Sequence, residues 1–253
     1  MPEKIVEVQG LKISYRDEGQ GMPFLILHGW GVGKKHWSTV QDSLAKHFRT
    51  IIFDFPGFGN SDNLPKAWAV QDFVDFFIEF LKKLEINNQF YLAGQSFGGR
   101  VTIKFANQHP EKVKALFLID AAGIKHKITV SRWILRIVSR VIKKFAWIPG
   151  YKLLQKAFYK FVLRKTDYIN ALGTKKDTFI KVVKEDLTPF LQKIQVKTYI
   201  IWGEHDKTTP VSDAYIMHDK ISNSELKFLP SGHRPHVETP NLLADMILKF
   251  LNL

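Results

Sequence analysis

A chain of 253 residues with 45% hydrophobic content is long enough for one large α/β domain, or for such a domain carrying an inserted cap. It contains no cysteine, which excludes disulfides, thiolate metal sites and a cysteine nucleophile and fits a reducing compartment. The net charge of +13 is concentrated in one stretch: between Ile124 and Lys193 stand 17 Lys and Arg against four acids, while the remainder balances at 20 against 20.

Ile5, Val6 and Val8, then Leu11, Ile13 and Tyr15, form two short alternating runs around Gln9-Gly10, which predicts a hairpin. Phe24 to Leu27 is a compact apolar run, as for a strand buried on both faces, and ends at the turn His28-Gly29-Trp30-Gly31. A helical segment around Trp37 to His47 precedes the strand Thr50 to Phe53, which ends in Asp54-Phe55-Pro56-Gly57-Phe58-Gly59-Asn60-Ser61. Asp54 reads as structural, because Asp and Asn commonly bond nearby backbone in turns. Phe73, Phe76, Phe77, Phe80, Leu81 and Leu84 recur at helical spacing with charged residues between them, the pattern of a core-facing helix.

Phe90 to Ala93 is a short strand, and Gly94-Gln95-Ser96-Phe97-Gly98-Gly99 follows it directly into a helical segment, Arg100 to Gln108. In a strand-to-helix turn the G-x-S-x-G pattern lets the backbone bend sharply and pushes the central side chain out above the sheet edge. Ser96 is therefore the candidate nucleophile. Val113 to Ile119 is the next strand and ends at Asp120-Ala121-Ala122-Gly123. From Ile124 the alternation stops: Trp133 to Phe145 and Leu153 to Val162 carry helical apolar stripes flanked by Lys and Arg, and a third polar helical run continues to Leu191. The expected organisation is a core of residues 1–123 and 194–253 with a basic helical cap over 124–193. Alternation resumes with the strand Val196 to Trp202, ending in Gly203-Glu204-His205-Asp206, then a helix around Val211 to Lys220, the strand Leu226 to Leu229, the loop Pro230-Ser231-Gly232-His233 and a closing helix from about Asn241 to Leu251.

Ser96, Asp206 and His233 follow one another in the order nucleophile, acid, base of one known serine-hydrolase arrangement. A serine hydroxyl needs a base to take its proton, and an imidazole in that role needs a carboxylate to fix its tautomer and stabilise the imidazolium. Competing acids are Asp120 and Glu204; competing histidines are His236, His28 and His205. The backbone N–H groups of Trp30 and Phe97 are the candidate oxyanion donors.

The turn at His28 to Gly31, the run Asp54 to Ser61, the elbow at Gly94 to Gly98, Trp202 to Asp206, and Gly232-His233 with Glu238-Thr239-Pro240 resemble, in order, the motifs of the α/β-hydrolase superfamily over nearly the whole chain. The resemblance implies an eight-stranded, mostly parallel sheet flanked by helices, a helical cap between strands six and seven, and Ser96, His233 and Asp206 as the triad. Serine at position 96, where some relatives carry aspartate, argues against an epoxide hydrolase or haloalkane dehalogenase. The expected activity is carboxylic-ester hydrolysis through an acyl-enzyme on Ser96, with a mainly apolar acyl pocket, and without cofactor or metal. The alternatives are a C–C bond hydrolase of the meta-cleavage-product type and an esterase acting on a carrier-protein-bound acyl group. The basic cap is suited to an acidic protein partner or an anionic lipid surface rather than to nucleic acid. No apolar stretch reaches the roughly 18 residues of a membrane span, so a cytoplasmic protein acting on small-molecule esters is expected.

Overall fold

A computed structural model describes residues 3–125 and 173–253. Eight strands form one sheet: β1 (Lys4–Val8), β2 (Leu11–Glu18), β3 (Pro23–Leu27), β4 (Arg49–Phe53), β5 (Phe90–Gln95), β6 (Val113–Ile119), β7 (Thr198–Gly203) and β8 (Ser224–Leu229). Their spatial order is β1-β2-β4-β3-β5-β6-β7-β8, with β1/β2 and β2/β4 antiparallel and every other neighbour pair parallel. The predicted hairpin is present, and its two central residues, Gln9 and Gly10, have φ of 51° and 76°. Two positive φ values give the backbone twist that matches right-handed strands.

Period-two alternation in the central strands divides the core into two layers. In β3, Leu25 and Leu27 face one layer and Phe24 and Ile26 the other. The first layer is covered by α2 (Val70–Lys83) and α3 (Phe97–Gln108); the second by α1 (Ser38–Leu44) and α8 (Pro240–Phe250). The phenylalanine stripe of α2 is fully buried at Phe73, Phe76, Phe77 and Phe80, each contributing about 1.5 to 3 kcal/mol of burial energy. The Asp72 carboxylate accepts the Ala69 N–H at 2.7 Å, which fixes where that helix starts.

Between β6 and β7 the described residues hold two helices, α4 (Thr174–Lys184) and α5 (Thr188–Leu191). This corrects the single helical run expected to Leu191: the backbone turns extended at Glu185, and Asp186 accepts the Thr188 N–H at 3.0 Å just before Pro189. Thr188 and Pro189 open the next helix, where the missing proline N–H leaves no bond unmade, so the run divides at residues 185–187. The helices expected around Trp133 to Phe145 and Leu153 to Val162 lie outside the described residues. The remaining helices are α6 (Val211–Lys220), between β7 and β8, and the short α7 (Pro235–Glu238) beside α8. Among the described residues no helix is long and apolar enough to cross a membrane.

Candidate active site

All the candidate residues gather at the carboxyl edge of the parallel strands, because each follows the last residue of a strand or the loop after it. Ser96 stands between β5 and α3 with φ 51° and ψ −111°, a conformation rare for any residue with a Cβ. Its amide donates to the Ile119 carbonyl at 3.1 Å and its carbonyl accepts from Ala122 at 3.0 Å, so β6 holds the strained residue from both sides. The bend depends on small neighbours: a Cβ at Gly98 would drive into the Leu27 carbonyl, and one at Gly94 into the Thr102 side chain.

Ser96 Oγ lies 2.9 Å from His233 Nε2, and His233 Nδ1 lies 2.7 Å from Asp206 Oδ2. The consistent proton arrangement has Nδ1–H donating to Asp206 and Nε2 accepting from the serine hydroxyl. Burial pushes the Asp206 carboxyl upward, but the bond from His233, the hydroxyl of Thr209 at 2.6 Å and the Thr208 amide at 2.7 Å outweigh it and hold the group below the usual carboxylate range. Asp206 is thus an ionised acceptor aimed at the imidazole. The His233 loop is pinned by Gln95, whose amide donates to the His233 carbonyl at 2.9 Å, and by Glu238, whose carboxylate accepts from the Gly232 and Arg234 amides at 2.5 and 3.2 Å.

The competing residues are engaged differently. Asp120 is fully buried; its Oδ1 accepts the Gly203 amide at 2.8 Å while Oδ2 has no hydrogen-bond partner, and burial raises this carboxyl to about 8. It stands beside Asp206 as a neutral acid, since two adjacent carboxylates resist ionising together. Ligand atoms of Asp120, Asp206 and His233 lie within 4.8 Å of one another, but His233 Nδ1 is committed to Asp206. Glu204 and His205 are exposed. His28 is buried and kept neutral, its burial lowering it to about 4; it accepts the Phe55 amide at 3.0 Å and donates to the Gly29 carbonyl at 2.8 Å, tying two loops together. His236 is buried and stacked on Trp37 at 4.4 Å, with its ring lowered to about 3 by the same cause. Asp54 is structural, as its turn predicts: it accepts the Lys34 and Asn60 amides at 2.7 and 3.0 Å and the buried Lys34 ammonium at 2.7 Å.

A cavity of about 370 Å³ opens over Ser96 and His233. Trp30 and Phe97 both line it, their rings edge to face at 5.4 Å, and Phe97 is the first residue of α3, where an amide has no carbonyl partner in its own helix. Phe179, Val182 and Val183 of α4 close one side, and Phe179 packs on Trp30 at 5.1 Å. Sequence reasoning missed Thr209, Gln95, Glu238 as a loop clasp, and Arg100 in the cavity wall. Only Thr209 has a local signal, since an Asp commonly accepts backbone amides two and three residues on, here those of Thr208 and Thr209.

A model of the alpha/beta hydrolase fold matches residues 22–141. The chain is 30% identical to a provisionally named non-heme haloperoxidase of Mycobacterium phage D29, over 97% of this chain and 93% of that one. It is 26% identical to a 2-hydroxy-6-oxo-6-(2'-aminophenyl)hexa-2,4-dienoic acid hydrolase of Metapseudomonas resinovorans, over 99% and 91% of the two chains. Among solved structures, an esterase of Thermogutta terrifontis superposes with a TM-score of 0.74 at 20% identity, covering 100% of this chain and 98% of its own.

Proposed function

This chain belongs to the alpha/beta hydrolase family and is a hydrolase, and we propose that it cleaves carboxylic esters through an acyl-enzyme on Ser96. The observation that carries the reading is the continuous relay Ser96 Oγ, His233, Asp206 at 2.9 and 2.7 Å on the floor of the cavity. In the first half-reaction Ser96 Oγ bonds to the carbonyl carbon as its proton passes to His233 Nε2. The resulting oxyanion is met by the N–H groups of Trp30 and Phe97, each donor worth about 3 to 4 kcal/mol in comparable sites. The carbon–oxygen bond to the alcohol then breaks, and His233 returns the proton to the departing oxygen. In the second half-reaction His233 takes a proton from water, the hydroxide adds to the acyl carbon, and the acid leaves as Ser96 recovers its hydrogen. The apolar walls of the cavity, Val182, Val183, Phe97 and Phe179, support an acyl group with an aliphatic stretch.

A second reading, C–C bond hydrolysis, draws on the dienoic acid hydrolase relative, which matches this chain over 99% of its length. The test is the rate of p-nitrophenyl butyrate hydrolysis by the native protein and by Ser96→Ala. The ester reading predicts turnover by the native protein and a loss of several orders of magnitude in the variant. Absence of ester turnover, with cleavage of a vinylogous diketone instead, would establish the second reading.

A further inference from the structure

Arg100 lies one helical turn beyond Ser96 on α3 and lines the same cavity, yet only 7% of its surface is exposed. Its Nη1 donates to the Val182 and Glu185 carbonyls at 3.1 and 3.0 Å, which uses both hydrogens of that nitrogen. Among the described residues nothing accepts from Nε or Nη2, and no carboxylate stands within ion-pair distance of the guanidinium. The acids whose field reaches it are Glu185, Asp186 and Asp213. Each is engaged elsewhere: Glu185 with Lys104 at 2.5 Å, Asp186 with the Thr188 hydroxyl at 2.6 Å, and Asp213 with a partner of its own. Burial lowers Arg100 to about 10, so it remains a cation at neutral pH.

Among the described residues this buried cation has no direct counter-ion, a costly arrangement that a bound anion would relieve. The edge formed by Nε and Nη2 is the fork that binds a carboxylate through two parallel hydrogen bonds. The Asp213 carboxylate in the same wall disfavours a doubly charged phosphate and leaves room for a monoanion. The leaving alcohol must sit at His233 Nε2 to receive its proton, so a group reaching Arg100 along α3 belongs to the acyl side. We propose that the preferred substrates are half-esters of dicarboxylic acids, whose methylene chain lies against the apolar walls and whose free carboxylate binds the Nε and Nη2 edge of Arg100. The proposal deepens the ester reading and rests on it.

The experiment compares kcat/KM for mono-p-nitrophenyl succinate, glutarate and adipate with that for the neutral ester of equal acyl length, in native protein, Arg100→Gln and Arg100→Lys. The expected result is a preference of about 10-fold or more for at least one half-ester, expressed in KM, that collapses in Arg100→Gln and is partly kept in Arg100→Lys. A native ratio at or below one for all three lengths, or a ratio that Arg100→Gln leaves unchanged, overturns the proposal. Calorimetric binding of glutarate and pentanoate to Ser96→Ala reads the same subsite without turnover and without altering Arg100. Tighter binding of glutarate supports the subsite even if ester hydrolysis fails; equal binding, or none, overturns it.

Discussion

At the residue scale the site is a set of carboxyl and imidazole groups that their surroundings push apart. Asp206 collects donors and stays ionised, whereas Asp120, a few ångströms away, is buried with one oxygen unpartnered and keeps its proton until about pH 8. Between the ordinary carboxylate value of 3.8 and about 8 the folded state holds a proton that the unfolded chain has released, so Asp120 lowers stability progressively as pH rises through that window. Asparagine preserves the neutral shape and tolerates the left-handed backbone of position 120, where φ is 42°. Urea unfolding of Asp120→Asn and native protein at pH 5, 7 and 9 is expected to show the variant gaining on the native chain up to about pH 8 and levelling beyond it. A difference that stays constant with pH would mean that Asp120 is ionised in the fold. That two acids stand at neighbouring strand ends is legible in the sequence; which of them holds the proton is not, because the donors around Asp206 and the burial of Asp120 come from folding.

At the element scale the decisive contact is between α3 and β3. Gly98 brings the helix so near the strand that any Cβ would meet the Leu27 carbonyl, and the Phe97 amide and Ser96 are placed by that approach. Gly98→Ala is expected to push α3 outward, costing about 1 to 3 kcal/mol in urea unfolding and lowering kcat for simple esters more than KM, since the Phe97 amide proposed as an oxyanion donor moves with the helix. Unchanged stability and kcat would show that the helix has slack at this point. The strands and the α2 stripe were readable because period two and period 3.6 are local signals: Phe24 to Leu27, Val113 to Ile119 and Phe73 to Phe80 stand where their patterns put them. The division of α4 from α5 was hidden by an unbroken polar composition across Glu185 and Asp186, although Pro189 marked its far side.

At the scale of the whole molecule, order along the chain carried more than composition did. Strand ends at Ser96, Asp120, Asp206 and the loop holding His233 meet at one edge because parallel strands share a direction, so the nearness of Ser96, His233 and Asp206 could be anticipated from their order and from the resemblance of their motifs. What could not be read are the links between distant segments: Arg100 to Val182 and Glu185, Trp68 to Thr178 at 3.1 Å, and Lys181 to the Ala67 carbonyl at 2.8 Å, which together seat α4 over the site. The basic excess assigned to 124–193 falls largely on residues 126–172, outside the described part. Within the described part, Lys181 is spent on Ala67 and Lys175 lies 5.8 Å over the Phe58 ring. If Ser96, activated by His233, forms a covalent bond with its substrate, the mass of the protein after exposure to a fluorophosphonate at neutral pH reports it. One adduct per chain is expected, located by peptide mapping on Ser96 and absent from Ser96→Ala. An unmodified native protein, or an adduct on any other residue, would contradict it.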